Sequence, residues 1–385
     1  MDSDVALRPE ELTYRLPEMD LILPLRMHPM LPQAQYDTPA WVRSYVGDVA
    51  GTDVEEWLNA GYELWTCLCY PHAREDRILR MSRLCTVLTI VDDETTRDTP
   101  FGNSSAYAAA AVEQWEDLLR GTQPVPQEAP AWWRLAHDTW HDLTTDMPDG
   151  LRERFITYLM RILRGSVTEV AVREHATELD LDAYMELRRE TVYGTYCWLL
   201  AEYALGLDFT DMFTEHPELF GVWQDASDHL IVFNDLISLR KEWFVECDDR
   251  MSASWILRRQ HGFTVQEFAD WTAARLAEIE RSYVKRCQDI LTTSWGNTPA
   301  MRAYLCEIGH TMAGSLFFSR SSARYHAPGL LWNGITEATM TMHPHRSTIA
   351  PVHHNRPDHR APYLYLSPLA QGHECARSST GARSQ

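Results

Sequence analysis

Apolar residues return every three or four positions along most of the chain from about residue 40 to about 340, the period of a helix with one buried face. In "EDRILRMSRLCTVLTIVDDETTRD", Ile78, Met81, Cys85, Leu88 and Asp92 fall on one such stripe. The same rhythm predicts helices over 107–121, 151–174, 265–294 and 299–325. Between them stand the Pro- and Gly-bearing breaks "DTPFGNSS", "GTQPVPQEAPAW", "DMPDG" and "GNTP", which end helices and make turns. No period-2 run stands out as a strand, and no internal repeat is visible. The expected fold is all-α.

Composition narrows this. At 385 residues and 45% hydrophobic content the chain can bury a large core, as one large helical domain or two ordinary ones. No run approaches the roughly 18 apolar residues of a membrane span, and "MDSDVALRPEEL" opens acidic without a hydrophobic export segment. A soluble, cytoplasmic protein with no membrane partner is expected. Eight cysteines without repeated CxxC spacing read as free thiols. A formal charge of −20 argues against a nucleic-acid partner, because neutralising phosphates takes a basic face. A phosphate-bearing ligand stays open, since bound divalent cations invert the local sign. Residues 343–385 carry five Pro, six His and five Arg against two acids, and read as a disordered tail after a folded body of 1–342. Clustered histidines there (His343, His345, His353, His354, His359) read as solvated composition.

Two polar elements interrupt otherwise apolar helices. In "IVFNDLISLRKEW", Asn234, Ser238 and Glu242 are spaced by four, so in a helix they form one ridge of oxygen-bearing side chains. Ile231, Val232, Phe233, Leu236, Ile237 and Leu239 crowd the same turns. Such a ridge faces an enclosed space and needs partners there; a hard cation would supply one. In "TIVDDETTRD", Asp92 continues the apolar stripe, and a carboxylate in that position must be paired or bind metal. Asp93 sits about 100° round the helix, either sharing that ligand or facing solvent.

Together, "DDETT" (92–96) and "NDLISLRKE" (234–242) resemble the aspartate-rich motif and the NSE triad of microbial class I terpene synthases, in order and at a similar separation. "YMELRRETVYG" (184–194) looks like that family's arginine element beside a helix break, and "FFSRSSARY" (317–325) like its terminal Arg-Tyr element. The resemblance covers roughly 20–330. It implies a single-domain helical bundle around a central apolar cavity, and Mg²⁺, three ions in the family, held by Asp92, with Asp93 as a further candidate, and by Asn234, Ser238 and Glu242. Arg188, with Arg189 as the competing choice, would match the diphosphate sensor, and Lys241, Arg324 and Tyr325 would touch the same diphosphate. Trp65, Val192, Tyr193, Tyr196, Trp198, Phe233 and Phe318 are the cavity candidates, though aromatics at helical spacing are most often plain core. The substrate implied is a prenyl diphosphate, first farnesyl diphosphate and alternatively geranylgeranyl diphosphate; a homodimer stays open. The chain departs from the pattern where Thr95 and Thr96 replace a third acid, where "LCTVLTIV" lacks aromatics, and where Phe318 stands for a Trp. A chain elongase would want a second aspartate-rich motif at "NDLISLRKE", and a protonation-initiated cyclase a DxDD; neither is present. A non-catalytic helical scaffold is the remaining alternative.

Overall fold

The computed structural model describes residues 7–19, 22–46, 54–96, 99–122, 125, 131–246, 251–326, 338–344 and 347–351. The chain folds into an α-helical bundle, as its periodicity predicts. The first helices are α1 (Leu31–Val46), α2 (Val54–Asn59), α3 (Tyr62–Cys69), α4 (Glu75–Thr96), α5 (Pro100–Asn103), α6 (Ser105–Arg120) and α7 (Ala131–Thr144). There follow α8 (Asp149–Glu174), α9 (Leu181–Thr191), α10 (Gly194–Leu205), α11 (Thr210–Glu215) and α12 (Leu219–Ile237). The chain then forms α13 (Leu239–Lys241), α14 (Ala253–His261), α15 (Val265–Thr292), α16 (Pro299–Ser321) and α17 (Ala323–His326).

Local chemistry sets many of these bounds. Thr264 and Glu267 close a capping box at the start of α15, and Thr298 caps α16 ahead of Pro299, each satisfying N–H groups that a first turn leaves open. At the other ends, α10 and α14 stop at Gly206 and Gly262, both at positive φ, where a glycine pays no Cβ penalty. Two helices are buried over most of their surface and so sit inside the bundle. On α10, Tyr196, Cys197, Trp198, Leu199, Leu200, Ala201, Tyr203 and Ala204 are buried. On α12, Ile231, Val232, Phe233, Leu236 and Ile237 are buried. Accordingly α12 packs against α15, α16, α10 and α9, while α4 packs against α3, α7 and α1. Each large apolar side chain buried this way contributes about 1.5–3 kcal/mol.

The structure corrects the reading that no strand occurs. β1 (Thr13–Leu16), β2 (Ala338–Met342) and β3 (Ser347–Pro351) form an antiparallel sheet in that order. Tyr14 pairs with Met340 and Leu16 with Ala338, and all four point inward. Runs of four or five residues alternate too briefly to stand out against long helical patterns. The boundary expected after 342 therefore falls between two paired strands, and the first part of the proposed tail continues the sheet. Residues 352–385, with His353, His354 and His359, lie outside the described residues, as does His345.

The buried Arg240 guanidinium donates to the carbonyl oxygens of His343 (2.9 Å), Pro344 (2.5 Å) and Tyr325 (3.4 Å). This ties the segment after β2 to α13. A chain ending at 337 loses both late strands and two acceptors of a buried cation, each such bond contributing about 1.5–3 kcal/mol. Its thermal midpoint by circular dichroism should lie several degrees below that of the full chain; an unchanged midpoint would show that the sheet adds no stability.

Candidate active site

Past Phe233 the central helix turns polar and irregular. Asn234 donates its amide to the Tyr325 hydroxyl (3.2 Å), which leaves its carbonyl oxygen as an acceptor. α12 ends at Ile237, and after the single turn of α13 the backbone widens to a π-helical turn over Glu242–Glu246, a feature frequent at functional sites. Across that break the Ser238 hydroxyl donates to Glu242 Oε1, and both residues are buried. Asn234, Ser238 and Glu242 line one cavity of about 220 Å³, and Asp92 of α4 lines the same cavity. The expected convergence of two distant helices is thus present. Asp92 Oδ2 accepts a hydrogen bond of 2.6 Å from Arg324 Nη2. The side chain of Asp93, and Asp98 altogether, lie outside the described residues.

Of the adjacent arginines, Arg188 lines the cavity and Arg189 does not. Arg189 makes a two-pronged pair with Asp228 on α12, at 2.6 and 3.0 Å. Arg188 donates to Glu169 Oε1 and to Thr191 Oγ1, both at 3.2 Å, while the Thr191 hydroxyl donates to the same carboxylate oxygen. Burial disfavours the Arg188 charge, yet Tyr184, Glu169, Asp235 and Asp92 outweigh it and hold its pKa above the ordinary value. Lys241, Arg324 and Tyr325 also line the cavity.

The helix break expected beside the arginine element falls between Thr191 and Gly194. Tyr193 adopts φ +62° there, a conformation costly for any residue with a Cβ. A Cβ on Gly194 would approach Ser227 Oγ to 2.5 Å, so any side chain at the restart of the chain into α10 would have to displace Ser227. Trp65, Val192, Tyr193, Tyr196, Phe233 and Phe318 all line the cavity, joined by Tyr62, whose ring centroid is 5.3 Å from that of Phe318. Trp198 does not; it is core, with its indole N–H on Ser227 Oγ at 3.2 Å. On the α4 wall Cys85, Leu88 and Thr89 replace aromatics. The donor set of Asp92, Asn234, Ser238 and Glu242 is all oxygen, which fits a hard divalent cation such as Mg²⁺.

Residues 83–282, more than half of the chain, match the family described as "Terpene synthase family 2, C-terminal metal binding". The chain belongs to that family. It is 24% identical to Microbial Terpene synthase-like protein 13 of Selaginella moellendorffii, over 80% of this chain and 85% of that protein. It is 26% identical to Alpha-muurolene synthase of Coprinopsis cinerea, over 78% of this chain and 71% of that protein. The solved structure of hedycaryol synthase superposes with a TM-score of 0.65 at 19% identity, covering 79% of this chain and 98% of that one. As a terpene synthase the chain is an enzyme, a lyase, with the all-α fold of its class; membership implies a metal-binding site and a prenyl diphosphate substrate. No helix among the described residues is long and apolar enough to cross a membrane.

Several cavity residues of this terpene synthase escape a reading by motif. Glu169 and Arg173 come from α8, His229 from α12, and Ser315 and Ser319 from α16. A partial signal exists for Glu169, because Gly165 stands one turn before it. A Cβ on Gly165 would meet Thr191 Cγ2 at 2.7 Å, so α8 and the end of α9 touch at that glycine and set Glu169 against Thr191. Replacing Glu169 with Gln leaves Arg188 buried without its carboxylate and weakens charge-assisted bonds of about 1.5–3 kcal/mol. Glu169→Gln should keep the helical circular dichroism of the parent and unfold at lower urea concentration; an unshifted urea midpoint would refute the role of Glu169 as the anchor of Arg188.

Proposed function

We propose that this terpene synthase is a Mg²⁺-dependent class I cyclase that ionises a linear prenyl diphosphate, farnesyl diphosphate first, and closes the carbocation into a cyclic sesquiterpene with release of diphosphate. One observation carries this reading: oxygen donors of α4 and α12 and the cationic side chains of Arg188, Lys241 and Arg324 meet on one apolar cavity. Asp92 on one side and Asn234, Ser238 and Glu242 on the other would hold Mg²⁺, which supplies positive charge to the departing diphosphate.

The chain's own residues do the rest. Arg188 and Arg324 offer fixed, permanently charged forks suited to phosphate oxygens, Lys241 a point charge, and Tyr325 a hydroxyl donor. Stabilising charge as the allylic C–O bond breaks is the main catalytic contribution. The electrons of that bond leave with the diphosphate, and an allylic cation stays in the hollow. Tyr62, Trp65, Tyr193, Phe233 and Phe318 line the hollow with aromatic rings, a lining that would stabilise positive centres and fold the chain by shape. The fifteen-carbon substrate is favoured by relatives that carry such names, among them Sesquiterpene synthase Agr3 of Cyclocybe aegerita, 27% identical.

Purified protein incubated with Mg²⁺ and, separately, ten-, fifteen- and twenty-carbon prenyl diphosphates should give a cyclic hydrocarbon or alcohol from the fifteen-carbon substrate, seen by gas chromatography with mass spectrometry. Cyclic product from the twenty-carbon substrate alone would correct the chain length. Linear longer diphosphates after adding isopentenyl diphosphate, or no turnover of any substrate, would sink the cyclase reading. Asn234→Ala should abolish turnover with helicity intact.

The two arginines separate cleanly. Losing a donor aimed at developing charge costs about 10²–10³ in rate, so Arg188→Ala should lose activity on that scale. Arg189→Ala, which removes only the pair with Asp228, should keep the parent's order of magnitude in kcat. The reverse ranking would move the sensor role to Arg189.

A further inference from the structure

A second group of ligating side chains lies outside the cavity, where the turn between α3 and α4 meets α16. His72 stands in that turn, and Glu307 and His310 are one helical turn apart on α16, so both face the same way. One potential ligand atom from each of the three lies within 4.8 Å of the others. The rings of His72 and His310 are 5.0 Å apart between centroids.

The surroundings prepare these groups as ligands. Glu307 is fully buried. It accepts from the His72 backbone N–H at 3.1 Å and meets His72 Nδ1 at 2.9 Å. Among the described residues its ion-pair partner is His72 alone, so no Lys or Arg offsets a carboxylate whose desolvation is costly. Burial pushes the Glu307 carboxyl above its usual range, the behaviour of an acid lacking a permanent cation. His310 is buried too, and its Nδ1 lies 2.8 Å from the Pro24 carbonyl oxygen. A carbonyl only accepts, so Nδ1 carries the hydrogen and Nε2 keeps its lone pair. Burial lowers the His310 pKa to about 4, which leaves the ring neutral near pH 7, as a metal ligand must be. An imidazole oriented through its second nitrogen by a backbone carbonyl is the usual support of a metal-bound histidine.

We propose that His72, Glu307 and His310 form a transition-metal site of the zinc class, distinct from the cavity, that pins the α3–α4 turn to α16. Two imidazoles and one carboxylate are a zinc ligand set, and the exposed His72 leaves the fourth position to water. On binding, the hydrogen between His72 Nδ1 and Glu307 moves to the other ring nitrogen, so neither ligand needs a new partner. On α16 the site precedes the cavity-lining Ser315 by about 12 Å counted from Glu307 and about 7.5 Å from His310, at about 1.5 Å per residue. Thr311 and Cys69 already join the same elements, the Thr311 hydroxyl donating to the Cys69 carbonyl at 3.0 Å. This inference does not depend on the proposed substrate.

The full-length chain, freed of metal with a chelator, would be titrated with ZnCl₂ in Mg²⁺-free buffer by calorimetry, alongside His72→Ala and Glu307→Gln. The parent should bind one Zn²⁺ per chain more than either variant, and saturating Zn²⁺ should raise its thermal midpoint while leaving theirs unmoved. Other zinc-binding groups, including the cavity acids and the late histidines, are common to all three proteins and cancel. His72→Ala removes the side-chain partner of Glu307, so each variant's thermal shift is read against its own metal-free midpoint, and Mg²⁺-dependent turnover of His72→Ala should match the parent. Equal stoichiometry and equal thermal shift in the parent and in either variant would overturn the site.

Discussion

The carboxylate of Asp235 sits inside the last turn of α12, where it takes the Tyr184 hydroxyl at 2.9 and 2.8 Å and the Ala253 backbone N–H at 2.8 Å. It thereby joins α9, α12 and the start of α14 at one buried point. Burial pushes its pKa up to about 6, against the pull of nearby Arg188. The position of every donor on α12 follows from this anchor. With Asp235 turned toward Tyr184, the residue before it and the one three after it turn toward the cavity, because successive helical side chains step by about 100°. Asn234 and Ser238 are those residues.

The same economy of charge explains how an acidic protein can present an anion site. Two acids at the cavity are partnered by guanidinium groups from within: Asp92 by Arg324, and Glu169 by Arg188, with Thr191 beside it. Each pair keeps a guanidinium beside the hollow in a fixed orientation, and fixed donors cost little reorganisation when charge develops. On the proposed chemistry, a cation taken up by Asp92 would compete for the oxygen that Arg324 now holds, and the freed guanidinium would have diphosphate oxygens to bind. Metal and anion would then favour one another's binding, which is a coupling between sites rather than a property of either alone.

Much of this was legible in residue order because helical periodicity is strong over long segments. The stripe ending at Asp92 and the spacing of Asn234, Ser238 and Glu242 both led to the same cavity. Three things were not legible. Arg188 and Arg189 are neighbours about 100° apart, and only the position of Asp228 on another helix decides which one turns away. Glu169 belongs to an ordinary amphipathic pattern; its burial depends on how closely α8 and α9 approach at Gly165. Within the sheet, β1 and β2 pair residues more than three hundred positions apart, and no local pattern encodes such a contact. Trp198, a lining candidate beside the break, is instead the plain core that aromatics at helical spacing most often are, its indole held by Ser227.

The irregular backbone falls where the cavity is. Around it α9 stops at Thr191, Tyr193 takes a left-handed conformation, α12 stops at Ile237, and the chain loosens to a π turn at Glu242. Regular helices satisfy their own backbone groups and leave none for a ligand, whereas a helix end leaves up to four carbonyls or four N–H groups without an intrahelical partner. A hollow walled only by unbroken helices would offer side chains alone. Strain of a kilocalorie or more at such positions persists only where the surroundings enforce it, and here they crowd the break: Ser227 lies so close to residue 194 that a side chain there would have to displace it. Glu169 fixes Thr191 on the near side of the same break. The break is therefore over-determined by its neighbours, which is the condition for holding backbone dipoles beside a hollow that must otherwise stay apolar.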